Sequence, residues 1–229
     1  AVGWTNVVGA GTSSETGALW AFNASGAPLA SFNTSGTQFY DSTRRDQFFG
    51  VAADGNLTIA AGYSDRVGGG NDFALVRYTA AGGLDSSFCS TGSCLYSAAT
   101  LGGGSATASA QAHDLVVRPT LGYAVAGFTA TAASGNDVVV VGLTTTGALD
   151  AAFGTGGVFR HHGAANGNTV TNSSERAFAI ARQTDGKLVV VGAGATGTTI
   201  AAGDDLVVYR LNTNGTLDTS FDGDGIAVT

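Results

Sequence analysis

The sequence predicts an all-β fold built from repeated, four-stranded antiparallel sheets. One stretch of eleven residues occurs four times, and short apolar runs separated by turn signals stand at similar places around each copy. The composition agrees, because Val, Thr, Gly, Asn and Asp are common while the chain holds one lysine, two glutamates and no methionine. Four short strands per unit at this spacing are typical of the blades of a β-propeller.

The repeated stretch begins and ends on glycine, and its copies cover residues 26–36, 82–92, 147–157 and 215–225. In the last three copies a leucine stands four positions before a phenylalanine, and an aspartate follows the leucine. The pairs are Leu84 and Phe88, Leu149 and Phe153, and Leu217 and Phe221. This spacing suits one helical turn with both apolar side chains on one face, and the aspartate between them suits an Asx-turn. We expect each pair to pin the connection between two blades into the core.

The first copy differs from the others. It has Pro28 at the leucine position and Leu29 at the aspartate position, so we expect its turn to have another structure.

Apolar runs predict the four strands of each unit. The first strand is expected at residues 47–52, 112–117 and 177–181, the second at 57–62, 123–127 and 188–192, the third at 18–22, 72–78, 136–142 and 205–210, and the fourth at 37–40, 94–96, 158–160 and 226–229. The uninterrupted apolar run 138–141 fits a strand covered on both faces. The strands define one domain, 1–229, with units of roughly 1–41, 45–99, 108–162 and 175–229.

The first unit is predicted to lack its first strand. In our alignment residues 6–9 form its second strand and Val2-Gly3 the preceding turn, and the chain does not begin with methionine. Three explanations compete: the chain is a processed or partial form of a longer repeat protein, residues 226–229 complete the first sheet, or a neighbouring subunit supplies the strand. An open edge invites another strand, so we expect a protein partner or self-association there.

The second and fourth units resemble the bacterial delta-60 repeat family. Residues 72–78 read Asp-Phe-Ala-Leu-Val-Arg-Tyr before the stretch 82–88, and residues 183–192 read Gln-Thr-Asp-Gly-Lys-Leu-Val-Val-Val-Gly. Both are close to the family's pattern, while the third unit is looser and the first is weak. The resemblance implies a propeller-like fold in an exported bacterial protein, and the family carries no catalytic residues to transfer.

The net charge and the two cysteines limit the classes of binding partner and the cellular location that we expect for this protein. A net charge of −7 argues against nucleic acid and anionic membranes, and no apolar run approaches a membrane-spanning length. Cys89 and Cys94 suit a small disulfide ring, with reduced buried thiols as the alternative. A disulfide indicates an exported protein at an extracellular, cell-surface or periplasmic location.

Three groups of residues are candidates for chemistry. Asp218, Asp222 and Asp224 stand on a glycine-rich turn that resembles a calcium loop, with turn-forming aspartates as the alternative. The three histidines, His113, His161 and His162, are weak candidates for catalysis or metal binding. Adjacent residues on a strand, such as His161 and His162, point to opposite faces and cannot easily serve one site. Aromatic residues could form a sugar-stacking platform or pack in the core; the four are Trp4, Trp20, Tyr63 and Phe128.

Together these features favour a non-enzymatic, exported structural or interaction module that self-assembles through its incomplete first blade. The alternative is a lectin-like or calcium-assisted ligand-binding propeller, with calcium as the one cofactor considered. A third hypothesis, a propeller hydrolase or lyase, depends on the histidines. No Gly-x-Ser-x-Gly nucleophile motif supports that third hypothesis.

Overall fold

The structure, a computed structural model, describes residues 1–5, 15–105, 107–131, 135–166, 174–195 and 204–229, with only the backbone of Trp4, Asn166 and Ala195. Its strands form four antiparallel sheets in which each strand pairs with the next along the chain. The first sheet has three strands, β1 (Val2–Thr5), β2 (Thr16–Trp20) and β3 (Thr37–Tyr40). The second has β4 (Asp46–Asp54), β5 (Leu57–Asp65), β6 (Asn71–Tyr78) and β7 (Ser93–Tyr96).

The third and fourth sheets repeat this plan. The third has β8 (Ala110–Arg118), β9 (Gly122–Thr131), β10 (Gly135–Leu143) and β11 (Val158–His161). A 3-10 turn at Ala164–Asn166 follows it. The fourth has β12 (Glu175–Arg182), β13 (Leu188–Ala195), β14 (Asp204–Leu211) and β15 (Ile226–Val228). The predicted all-β fold of four-stranded blades, with one strand fewer in the first, is therefore confirmed.

The hydrophobic core is divided into three layers, each between two consecutive sheets. Val138 and Val140 of β10 face the fourth sheet, while Val139 and Val141 face the second, and all four are at most 1% exposed. The expectation that the run 138–141 is covered on both faces is confirmed. Sheets that pack face to face in chain order are what propeller blades require.

The register of the first sheet differs from the prediction. Val2 pairs with Leu19, which stands seven positions before Gly26, as Ala61 pairs with Leu75 seven positions before Gly82. Residues 1–5 therefore belong to the strand position of residues 60–64, and the turn predicted at Val2-Gly3 is wrong. The strand predicted at 6–9 lies outside the described residues. Gly3, and not Gly9, is the glycine of the second strand, equivalent to Gly62 of the second sheet.

One of the three competing explanations for the first unit, and one expectation about its turn, are wrong. Residues 226–228 pair with Val207–Tyr209 of β14, so the C-terminal strand completes the fourth sheet and not the first. The first copy of the repeated stretch also keeps the same turn. Leu29 N–H donates to the carbonyl of Ala21 at 2.9 Å, as Asp85 N–H donates to that of Arg77 at 2.9 Å. Backbone hydrogen bonds define this turn, so the aspartate side chain is not needed for it.

Candidate functional site

A β-bulge interrupts the first strand of each four-stranded sheet at the same place. The pairing register shifts between the neighbours of one extra residue, which is Phe49 in β4, His113 in β8 and Phe178 in β12. A bulge of this kind re-aims the side chain of its extra residue. Because β4 packs against β8 and β8 against β12, the three side chains come together. We call Phe49, His113 and Phe178 the bulge cluster.

The rings of the bulge cluster are in direct contact. His113 is stacked on Phe178 with ring centroids 5.6 Å apart and an interplanar angle of 8°, and Phe49 meets His113 edge-on at 5.6 Å. Phe49 and Phe178 are 39% and 53% exposed, so the cluster presents apolar surface. Tyr63 and Phe128 lie behind it, with centroids 5.9 Å from Phe49 and 5.6 Å from His113, respectively. Clustered exposed aromatic surface is a feature of binding sites.

His113 is held in one protonation state. Burial lowers the pKa of its imidazole, and the charge of Arg176 lowers it further, so the ring is neutral at pH 7. Nδ1 lies 2.7 Å from the carbonyl oxygen of Ala177. Because a carbonyl only accepts, Nδ1–H is the donor, and Nε2 is left as the acceptor of the ring. The imidazole therefore behaves as an aromatic ring with one acceptor nitrogen.

A glycine stands opposite each bulge. Gly62 pairs with Phe48, Gly127 with Ala112 and Gly192 with Ala177, in each case at the edge of the register shift. A Cβ at any of these glycines would overlap a carbonyl oxygen of the bulged strand. Glycine is therefore the residue that lets the two backbones approach closely enough for the bulge to form.

Gly3 occupies the same place in the first sheet, but no bulged strand opposes it among the described residues. It pairs with Ala18, and the nearest atom to an added Cβ would be Trp20 Cζ3 at 3.2 Å. The N-terminal amine of Ala1 and the carbonyl of Trp20 are 2.8 Å apart, and Trp20 N–H donates back to Ala1 at 2.8 Å. Because antiparallel pairing alternates, the backbone N–H and C=O groups of Val2 and Trp4 point to the open edge.

The acidic turn is built from intrachain contacts. Asp218 lies 2.8 Å from Lys187 Nζ and 2.6 Å from Arg210 Nε. The hydrogen bond from Lys187 is the first of the contacts that hold the pKa of Asp218 well below its usual range. Asp224 accepts from Ile226 N–H at 2.8 Å, which is a local turn contact. Within the described ranges no three His, Cys, Asp or Glu side chains form a metal site, so Asp218, Asp222 and Asp224 are not brought together as ligands.

The aspartate of the repeated stretch makes the predicted Asx-turn. Asp85, Asp150 and Asp218 each accept from the backbone N–H two residues later, at 3.0, 3.1 and 3.2 Å. Each also pairs with a cation, which the sequence did not indicate. Arg77 pairs with Asp85 at 2.9 Å, while Arg118 comes from another strand to reach Asp150 at 2.6 Å.

Each of these arginines also covers the phenylalanine of its repeated stretch. The guanidinium carbon lies 4.6 Å from the ring centroid of Phe88 for Arg77, and 5.0 Å from that of Phe153 for Arg118. In the third sheet Gly142 stands at the arginine position, and its added Cβ would lie 2.8 Å from Arg118 Nη1. The missing side chain at Gly142 thus leaves room for an arginine from β8 to perform the same role.

Phenylalanine anchors the repeated stretch more deeply than leucine does. Phe88 and Phe153 are fully buried, whereas Leu84 is 44% exposed and Leu149 and Leu217 are half-buried. Phe221, in the last copy, is also half-buried.

Cys89 and Cys94 lie at disulfide distance, with Cα atoms 5.6 Å apart. Both sulfur atoms lie beneath Gly147 of the next stretch, at 2.6 and 2.7 Å from the position of an added Cβ. The pair therefore lies at the contact between the second and third sheets.

The other candidate residues are dispersed. His161 packs on Tyr209 with centroids 5.5 Å apart, whereas His162 Nδ1 faces Asp137 at 3.2 Å, so the two histidines serve different contacts. Tyr63 and Phe128 are only 5% and 6% exposed and back the bulge cluster. Trp20 lies on β2, in another sheet, and the side chain of Trp4 lies outside the described part of the chain.

Two segments of the chain match a known family model. Residues 52–88 and 183–221 are similar to the family described as a domain of unknown function (DUF5122) beta-propeller. Each segment runs from the first hairpin of a sheet to the phenylalanine of its repeated stretch, in the second and fourth sheets. The match supports a β-propeller-like repeat family. No match to a curated protein was found.

The described residues contain no helix with the length and hydropathy needed to cross a bilayer.

Proposed function

We propose that this protein is a non-enzymatic, exported interaction module of the delta-60 type, which accepts an extended strand from a protein partner at the open edge of its first sheet. The observation that carries the proposal is Gly3. In the other sheets the equivalent glycine is needed because a bulged strand lies against it. Gly3 leaves the same space for a close backbone contact, and an incoming bulged strand would fill that space.

The edge has the other features of a strand acceptor. The outward N–H and C=O groups of Val2 and Trp4 are spaced as one side of an antiparallel ladder. Strand addition of this kind derives its affinity from main-chain hydrogen bonds and its specificity from side-chain pockets. The disulfide pair Cys89 and Cys94 supports the exported location.

A peptide tests the edge directly. Residues 175–184 contain β12, the strand that fills this position in the fourth sheet, and bring its bulge residue Phe178. We expect the fluorescein-labelled peptide to bind the chain by fluorescence anisotropy. A control peptide with proline at both Ala179 and Ile180 should not bind, because proline removes a ladder donor on either side of the strand.

Gly3→Ala supplies the matched protein control. Gly3 has no left-handed φ, and among the described atoms its added Cβ meets only the edge of the Trp20 ring, so the variant should fold normally. It should still weaken peptide binding roughly tenfold or more, because overpacking costs about 1–3 kcal/mol. Equal binding by Gly3→Ala and by the original chain, or equal binding of both peptides, would contradict strand acceptance with a bulge.

A cis version of the test uses the corrected register. Ala1 stands where Val190 stands in the fourth sheet, so residues 175–189 fused in front of Ala1 would supply the strand and its hairpin. The fusion should abolish binding of the free peptide and any oligomer that depends on this edge. Unchanged oligomers in the fusion would count against self-assembly through the edge.

The bulge cluster favours a second candidate function, a ligand-binding propeller of the lectin-like kind. Exposed, contacting aromatic rings stack on the apolar faces of sugars or other flat ligands. A glycan panel screened by melting temperature tests this function, with Phe49→Ala and Phe178→Ala as variants. A ligand whose stabilising effect persists in both variants would place its site elsewhere.

A further inference from the structure

Every junction between consecutive sheets uses the same ring contact. The phenylalanine of one repeated stretch lies beneath the first glycine of the next stretch. A Cβ added to that glycine would lie 3.4 Å from the Phe32 ring at Gly82, 3.0 Å from the Phe88 ring at Gly147 and 2.7 Å from the Phe153 ring at Gly215. Each junction therefore has a donor half, which carries the phenylalanine, and a receiver half, which carries the glycine.

A backbone hydrogen bond accompanies each ring contact. The residue after the phenylalanine donates its N–H to the carbonyl of the residue before the glycine. The three bonds run from Asn33 to Ala81 at 2.9 Å, from Cys89 to Thr146 at 2.9 Å and from Gly154 to Asn214 at 2.7 Å. Ring and hydrogen bond together fix how one sheet sits on the next.

Within the described residues, the first sheet carries an unfilled receiver half of this junction and the fourth sheet carries an unfilled donor half. At the first sheet, an added Cβ on Gly26 meets no described atom within 4 Å. At the fourth sheet, Phe221 is half-buried, whereas Phe32, Phe88 and Phe153 are at most 4% exposed. Among the described residues no carbonyl takes the N–H of Asp222, which is the equivalent donor.

The sheet faces at the two ends show the same pattern. Phe22 of the first unit is 51% exposed, while the equivalent Tyr78 of the second is fully buried. Leu206 of the fourth sheet is 47% exposed, while Val138 at the same position of the third is 1% exposed. Both ends thus present apolar side chains at positions that consecutive sheets bury.

We propose that the fourth sheet of one copy docks on the first sheet of a second copy, with Phe221 beneath Gly26 and the N–H of Asp222 donating to the carbonyl of Ser25. The occupant is a second copy because the first and fourth sheets carry complementary halves of one repeated junction. This contact is heterologous, so it generates a ring if the rotation closes and an open chain if it does not. It adds to the proposed interaction role but uses the sheet faces rather than the β1 edge.

Sedimentation velocity over a micromolar concentration series tests the junction. We expect the unaltered chain to associate beyond 22.6 kDa. Phe221→Ala should weaken association about tenfold or more, since a buried aromatic anchor is lost. Gly26→Asn should weaken it similarly, because Asn tolerates the φ of +81° and fills the space that the ring needs.

Two control variants match these changes. Phe178→Ala removes a more exposed ring away from the junction, and Gly55→Asn adds a side chain at another left-handed glycine whose added Cβ meets no described atom within 4 Å. Both should associate like the unaltered chain.

A mixing experiment isolates the head-to-tail geometry. The Phe221→Ala copy keeps a good receiver end, and the Gly26→Asn copy keeps a good donor end. At a concentration where each variant alone is a monomer, the mixture should form a dimer that grows no further. A monomer at all concentrations of the unaltered chain, or association unaffected by Phe221→Ala and Gly26→Asn, would overturn the junction.

Peptide binding at β1 is measured on the same variants and separates the two proposals. If the peptide binds but the mass is that of a monomer, strand acceptance at β1 is supported and docking between copies is contradicted. If the mass depends on Phe221 but the peptide does not bind, docking between copies is supported and strand acceptance at β1 is contradicted.

Discussion

The ring of Phe153 lies directly beneath Gly215, so closely that a Cβ on this glycine would come within 2.7 Å of it. The two residues are 62 positions apart and belong to successive repeated stretches. Glycine is therefore required at position 215 for two reasons: the backbone has a φ of +77°, and the Phe153 ring leaves no room for a side chain.

Gly215→Ala should be much more destabilising than Gly223→Ala. Both positions have a left-handed φ, of +77° and +89°, and an alanine there costs about 1–2 kcal/mol. Only at Gly215 does the added methyl also collide with a ring, which adds about 1–3 kcal/mol. Urea unfolding of the two variants measures the difference, and equal losses would show that the ring contact is not tight.

Gly127→Ala should destabilise the third sheet by about 3 kcal/mol, the upper part of the range for overpacking, because the methyl group overlaps the carbonyl of Gln111. Gly3→Ala is the matched control, since Gly3 stands at the same position and no bulged strand lies against it in the described part of the chain. The free energy of unfolding of Gly3→Ala should fall by less than about 1 kcal/mol. The comparison requires only thermal unfolding, and a large loss in Gly3→Ala would mean that the edge is already filled.

Glu175→Gln should stabilise the protein at neutral pH. Burial raises the pKa of Glu175, and backbone N–H groups at Gly163, Ala164 and Ala165 offset this only in part. A raised pKa means that the contribution of this group is present at low pH and is lost as pH rises through its folded-state pKa. The stability gain of Glu175→Gln should therefore appear on raising the pH above 4.5, the usual value for this group, and be absent in acid.

Asp218→Asn should have the opposite pH dependence. The pKa of Asp218 is lowered by Lys187 first, then by Ser220 and Arg210, so its contribution is present at neutral pH and is lost on acidification. The variant should melt below the original chain at pH 7 and approach it as pH falls. Calcium should leave the melting temperature of the original chain unchanged, because Lys187 and Arg210 occupy the carboxylate. A calcium-dependent rise that Asp218→Asn removes would establish a metal site instead.

The double variant Cys89→Ala with Cys94→Ala should have a free energy of unfolding lower by about 2 kcal/mol, which is the loop-closure contribution expected for so short a disulfide ring. Because both sulfur atoms lie beneath Gly147, the loss should spread to the junction between the second and third sheets. Hydrogen exchange of the Cys89 amide, which donates to Thr146 at 2.9 Å, reports on that junction. A reductant should reproduce the effect in the original chain and leave the double variant unaffected.

The strands of the last three units were predictable because hairpin signals and apolar runs repeat in register. The first unit was not, because Gly3 and Gly9 both follow a valine and either could end the second strand. Only the pairing of Val2 with Leu19 decides between them. Sequence spacing alone does not contain this long-range register.

The bulge cluster was not predicted for a related reason. A bulge is a property of two paired strands, so Phe49, His113 and Phe178 look like ordinary strand residues in the sequence. The glycine opposite each bulge was visible, and it is the signal that could have located the cluster. The ion pairs of the aspartates were hidden too, because Arg77 and Arg118 reach equivalent aspartates from different strands.

Residue-resolved hydrogen exchange on β1, with and without the peptide of residues 175–184, tests strand acceptance most directly. The amides of Val2 and Trp4 point to the open edge, whereas those of Gly3 and Thr5 point to β2. We expect the peptide to slow exchange at Val2 and Trp4 and to leave exchange at Gly3 and Thr5 unchanged. Peptide binding with unchanged exchange at Val2 and Trp4 would contradict it, because the strand would then sit elsewhere.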